Sequence, residues 1–208
     1  MFSGSFSCRP VTGLIAVSLP RGIAIVDSLQ GQFLIATPQM SDPRFMETVI
    51  FLCAHNDEGA MGLIVNQPLK DVQLEDIFRN AEIPLPERPL GPVYLGGPVE
   101  TSHVFVIYST DYQLDNQLQV SPSVSLTRDP RLFYDLAGGF GPGNYLVTLG
   151  YSGWGPGQLE AELSVDGWLV LPARDEIIFA TADHRKWRQA ALVHGVDIGL
   201  FGGVSGSA

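Results

Sequence analysis

From Gly31 onward, each apolar segment of the chain is short and is closed by a cluster of Gly, Pro, Asn, Asp or Ser. With 23 glycines and 15 prolines in 208 residues, few elements can run long, because glycine loosens a backbone ladder and proline interrupts it. The pattern asks for many short strands with short helices between them. Residues 33–36 and 48–54 read as strands. Asn56-Asp57-Glu58-Gly59 then makes a tight polar turn into 60–65, so the second and third strands form a hairpin. Residues 93–95, 104–108, 145–149, 168–171 and 177–179 read as further strands, and 118–126, interrupted by Pro122, as an edge or loop.

Four helices are expected. In the first, Asp71 is the cap and Leu74, Ile77, Phe78 and Ala81 share one face at the i, i+3, i+4, i+7 spacing. The second runs over 130–136 behind Asp129, and the third over 158–164. The last carries Trp187, Ala190, Ala191 and His194 on one face and stops at Gly195. Strands and helices do not alternate strictly, and the first strand pair is a hairpin. A mixed or antiparallel α+β sheet fits this better than a doubly wound one.

Composition narrows the function classes. A formal charge of −10, from 12 Lys and Arg against 22 Asp and Glu, opposes sequence-independent binding to nucleic acid, which depends on basic groups displacing phosphate counterions. The densest basic stretch, Arg185-Lys186-Trp187-Arg188, reads as a solvated helix face. Cys8 and Cys53 are too few for a disulfide framework or a thiolate zinc site. No apolar run approaches the roughly 18 residues that span a bilayer. Residues 1–27 are expected to be a disordered extension: Arg9 and the apolar stretch 11–19 faintly resemble a signal peptide, but Pro10, Thr12, Gly13 and Ser18 dilute it and no cleavage site follows. Residues 28–208 are then a single domain.

Candidate chemistry is sparse. Ser152, in Gly150-Tyr151-Ser152-Gly153-Trp154, lies one position short of a nucleophile elbow. Cys53 and His55, two apart on a strand, are expected on one face, where a thiol–imidazole pair would be reactive. The competing reading makes Cys53 a buried small hydrophobe. The glycine segment 150–157 ahead of a helix could offer amides to an anion, although Pro156 removes a donor and Glu160 and Glu162 repel phosphate. His55, Asp57 and Glu58 lack a further metal ligand, so neither a metal nor a cofactor is expected.

Five ordered motifs carry a resemblance. They are Gly31-Gln32-Phe33-Leu34-Ile35-Ala36-Thr37-Pro38; His55-Asn56 through Gly59-Ala60-Met61-Gly62-Leu63-Ile64-Val65-Asn66-Gln67-Pro68; Leu95-Gly96-Gly97-Pro98-Val99; Gly150-Tyr151-Ser152-Gly153-Trp154 through Gly157-Gln158-Leu159-Glu160; and Trp187 through Gly195-Val196-Asp197-Ile198. From about residue 29 to the end, the chain resembles the YqgE/AlgH family of bacterial proteins. Its C-terminus departs from the family's Gly-His-Ala and reads Gly206-Ser207-Ala208. The resemblance implies an α+β domain with a bifurcated, barrel-like, largely antiparallel mixed sheet flanked by short helices, in a cytoplasmic protein. It also implies the label of transcriptional regulator, which came to the family through control of alginate synthesis, but no enzyme activity and no catalytic residues. His55, Asn66, Gly96, Gly97, Trp154, Gln158 and Glu160 are where a shared ligand or partner site is expected. The expected function is a regulatory or binding module that acts through a protein partner or small metabolite, without direct nucleic-acid binding and without a membrane. The alternative is a small hydrolase or thiol enzyme using Ser152 or Cys53 with His55.

Because every motif begins after residue 27, deleting residues 1–27 is expected to leave the thermal midpoint unchanged. A scanning-calorimetry comparison of full-length and truncated chains measures this directly.

Overall fold

The computed structural model describes residues 28–202. Its elements run β1 (Gln32–Ala36), β2 (Val49–Asn56), β3 (Gly59–Ile64), α1 (Leu74–Asn80), β4 (Val93–Leu95), β5 (Val99–Ser109), β6 (Gln117–Gln119), β7 (Val124–Thr127), α2 (Arg131–Ala137), β8 (Tyr145–Trp154), α3 (Gln158–Leu163), β9 (Trp168–Pro172), α4 (Asp175–Phe179) and α5 (Asp183–Leu192), then a 3-10 turn over Ile198–Gly202. The strands form one curled half-barrel sheet in the order β6-β7-β5-β8-β3-β2-β1-β9. Neighbours along that path are antiparallel, and β4 joins β8 in parallel.

Strand β8 belongs to both halves of this sheet. Its first half pairs with β5 on one side and β4 on the other, from Tyr145↔Tyr108 to Leu149↔Leu95. Its second half pairs with β3, from Ser152↔Gly62 to Trp154↔Ala60. The exchange of partners occurs at Gly150, whose φ of +72° is in the left-handed region that favours glycine. Gly96 and Gly97 press against this bend. Gly96 N–H donates to the Leu149 carbonyl at 2.8 Å, and the Gly96 carbonyl accepts from Ile64 N–H at 2.9 Å. A Cβ on Gly97 would stand 2.2 Å from the Tyr151 carbonyl carbon, and one on Gly150 2.6 Å from the Gly97 oxygen.

Alternation along the strands fills both faces of the sheet. The concave face gathers Phe33, Phe51, Leu63, Ile107 and Leu146 beneath α4 and α5. On the convex side, Leu34, Ile50, Leu52 and Trp154 meet Leu159 of α3, while Val106, Tyr108 and Val147 meet α1 and α2 through Phe78, Phe133 and Leu136.

Most expected elements are present, with four differences. Asp71 does not cap α1, which begins at Leu74 behind Gln73 without a side-chain cap, and Ala81 lies just past its end. Residues 177–179 belong to helix α4, not to a strand: Asp175 and Glu176 in its first turn suit a helix N-terminus, and so short an apolar run does not distinguish the two states. The expected glycine loop after residue 149 instead continues as strand to Trp154. Residues 118–126 divide into β6 and β7 around Ser121-Pro122-Ser123. Residues 1–27 and Gly206-Ser207-Ala208, for which the sequence raised expectations, lie outside the described residues.

Gly97→Ala has no room to relax, because the obstacle is backbone. It is expected to cost about 2–4 kcal/mol, seen as a lowered midpoint in urea unfolding, whereas Gly91→Ala, with nothing within 4 Å of the new methyl, should leave the midpoint nearly unchanged.

Candidate functional site

The structure distributes the expected site residues over three places. His55, Trp154, Gln158 and Glu160 surround α3. A bulge in β2 between Leu52 and Ala54 explains the position of His55. The extra residue resets the alternation, so that His55 pairs with Ala60 on the convex face while Cys53 stays in the concave core. The expected Cys53–His55 pair therefore does not form. His55 Nδ1 accepts the Leu29 N–H at 2.9 Å, which leaves the proton on Nε2, where it is donated to Glu160 Oε1 at 2.8 Å. Glu160 is held below the usual carboxylate range, first by its own backbone N–H and then by His55.

The rest of the α3 surroundings is likewise internally satisfied. The Glu162 carboxylate accepts both the Trp154 and Trp168 indole N–H groups, at 2.9 and 3.0 Å, and the Gln158 amide N–H at 3.0 Å. Gln158 Oε1 in turn accepts the Gly155 N–H at 3.1 Å. These side chains fasten α3 to the sheet.

Gly96, Gly97 and Ser152 form the β8 junction. Ser152 is buried and its Oγ donates to the Gly96 carbonyl at 3.2 Å. Cys53 is fully buried with its thiol pushed up by burial. Both His55 nitrogens are taken, so neither nucleophile of the hydrolase or thiol-enzyme alternative has that base available.

Asn66 leads to a different place. Its Oδ1 accepts the Val49 N–H at 2.9 Å and its Nδ2 donates to the Glu47 carbonyl at 2.8 Å. It thereby fixes the loop where Glu47, a non-glycine residue, adopts a φ of +53°. Asn66, Gln67 and Glu47 form one side of an open cleft of about 660 Å³, and Arg185, Trp187 and Arg188 of α5 are on the other. That volume lies in the range of small-molecule sites.

At the base of α5, Lys186 is 2% exposed. Its Nζ donates to the Val65 carbonyl at 2.7 Å, pairs with Asp183 Oδ1 at 2.9 Å and stands 5.1 Å from the centre of the Tyr94 ring. The Tyr94 hydroxyl donates to the same Asp183 oxygen at 3.1 Å. Burial lowers the Lys186 pKa and Asp183 opposes that shift, while burial and then Asp183 push the Tyr94 phenol up. The reading of Arg185 to Arg188 as a solvated face is thus corrected. Lys186 lies on the inward stripe with Ala190, one turn on, and Trp187 is anchored by its indole N–H to the Ala36 carbonyl at 2.7 Å. Asp183 and Tyr94 were not singled out in the sequence, and Lys186 was read only as part of the basic stretch. The available signal was a lysine four residues before a buried alanine with an acid three residues upstream. His194, expected on the apolar face, is half-buried and hydrogen-bonded to the Pro172 carbonyl at 2.9 Å.

A family model described as AlgH-like matches residues 33–199. The chain belongs to the AlgH-like family. A UPF0301 protein of Cupriavidus pinatubonensis is 40% identical over 183 residues, 87% of this chain and 96% of the relative. One of Ruegeria pomeroyi is 44% identical over 183 residues, 86% and 99%. The solution structure of the AlgH protein from Pseudomonas aeruginosa matches with a TM-score of 0.71 and 34% identity over 90% of this chain and all of that one. A crystal structure of a Corynebacterium diphtheriae protein, at 22% identity and TM-score 0.66 over 82% and 90%, shares the fold. The AlgH-like family and its α+β barrel-like sheet are therefore as the sequence motifs implied, and none of these four names states an activity.

Removing Asp183 from this AlgH-like chain leaves a buried ammonium without its counter-charge. Asp183→Ala is expected to cost about 3–5 kcal/mol, and Tyr94→Phe, which removes one hydrogen bond, about 1 kcal/mol. Urea unfolding of the two variants beside the parent measures the difference.

Proposed function

We propose that this AlgH-like chain is a cytoplasmic regulatory binding module with no chemistry of its own, and that a protein partner or small metabolite seated in the α5 cleft is what it responds to. The burial of Lys186 carries the reading. The one basic cluster that could have addressed phosphates loses its central cation to Asp183 and Val65, leaving Arg185 and Arg188. Two arginines neutralise about two phosphates, each giving a salt slope of about −0.9, while the net −10 charge repels a duplex at long range. Any influence on transcription is then indirect. Among the described residues no helix is long and apolar enough to cross a membrane, and no group of His, Cys, Asp or Glu could hold a metal.

Two measurements test this. In an anisotropy titration at physiological salt, duplex DNA is expected to bind no tighter than about 10⁻⁶ M, the non-specific range; specific binding at about 10⁻⁸ M or below, as for operators, would overturn the indirect role. In the second, immobilised chain is exposed to cell extract, washed and denatured, and the released small molecules are identified by mass spectrometry. Retention is expected for the parent and lost for Gln189→Trp, which fills the cleft; equal retention by both would remove the cleft from the reading.

A further inference from the structure

Half of the arginines among the described residues are neutralised by an acid. Arg44, Arg79, Arg128 and Arg131 are each ion-paired, and Arg88 bridges the Pro142 carbonyl and the Tyr145 ring. Arg174, Arg185 and Arg188 have no acidic partner among the described residues, although the sequence carries 22 Asp and Glu, and of these three only Arg185 and Arg188 border a cleft. These two are exposed, stand one turn apart on α5 and line the same cleft. Asp183, the acid on their own helix, is committed to Lys186 and Tyr94, so it does not neutralise them. The Gln67 and Gln189 side chains, also in the lining, have no hydrogen-bond partner among the described residues. Besides the committed Asp183, Glu47 is the acid in the cleft lining. One carboxylate against two guanidiniums leaves an excess of positive charge and directs the acidic end of a ligand towards α5.

We propose that the α5 cleft binds a small molecule bearing two acidic groups, a dicarboxylate or a diphosphate, with Arg185 and Arg188 each holding one. The inference rests on the cleft reading above and names its ligand chemistry. Side chains three apart on a helix are neighbours, with Cβ atoms about 5–6 Å apart, a spacing suited to two acidic groups a few bonds from one another. Guanidinium forks match carboxylate and phosphate oxygens in pairs.

The test is calorimetric titration of the full chain with succinate and, separately, with inorganic pyrophosphate. At least one probe is expected to saturate a single site, and the better of the two identifies carboxylate or phosphate as the preferred group. Arg185→Gln and Arg188→Gln, at exposed positions, should keep the parent's thermal midpoint yet weaken binding about tenfold or more each. Arg174→Gln, an exposed arginine outside the cleft lining, should bind as the parent does. Failure of both probes to bind, or equal weakening by Arg174→Gln, overturns the inference. If the probes fail while Gln189→Trp still abolishes metabolite retention, only the ligand chemistry falls; if retention is also independent of Gln189→Trp, the cleft reading falls with it.

Discussion

The structure depends on one strand that serves two neighbourhoods. β8 gives its first half to β4 and β5 and its second half to β3, and it can do so because the backbone turns at Gly150 while Gly96 and Gly97 lie flush against the bend. The hydrogen bonds from Gly96 N–H to Leu149 and from Ile64 N–H to Gly96 knit the two halves at that point. Closing the sheet here brings Phe33 and Phe51 of one half into the same concave core as Phe105 and Ile107 of the other. The helices α4 and α5 then have a single surface to cover, and the cleft exists at the margin of that cover.

Much of the framework is legible in the sequence because its signals are local. The turn at Asn56 to Gly59 and the stop at Gly195 are chemical statements about a few consecutive residues, and both hold in the structure. What local reasoning misses depends on contacts distant in sequence. The bulge at Cys53 is defined by its pairing with β3, and it moves His55 to the opposite face from the one strict alternation assigns. Residues 177–179 have the apolar texture of a strand, yet the concave core takes them as a helical turn.

The site shows the same division. Residues in motifs drew attention to Gly96, Gly97, Trp154 and Gln158; the two glycines lie against the bend of β8, and Trp154 and Gln158 hydrogen-bond to Glu162. Of the expected site residues, Asn66 is the one that lines the α5 cleft, and it was legible only as part of a run. Lys186 was hidden by its neighbours: between arginines it reads as one more solvent-facing cation, and only the arrival of Val65, 121 positions away, shows what its ammonium is for.

The placement of Leu29 has a practical side. Its N–H is held by His55 and its side chain packs with the convex cluster beside α3, whereas α5 covers the concave face of the same strands. Leu29 is thus held on the face of the sheet opposite the one that α5 covers. A fluorophore introduced at the exposed Ser28 reports from that far side and leaves the α5 margin presented to solution.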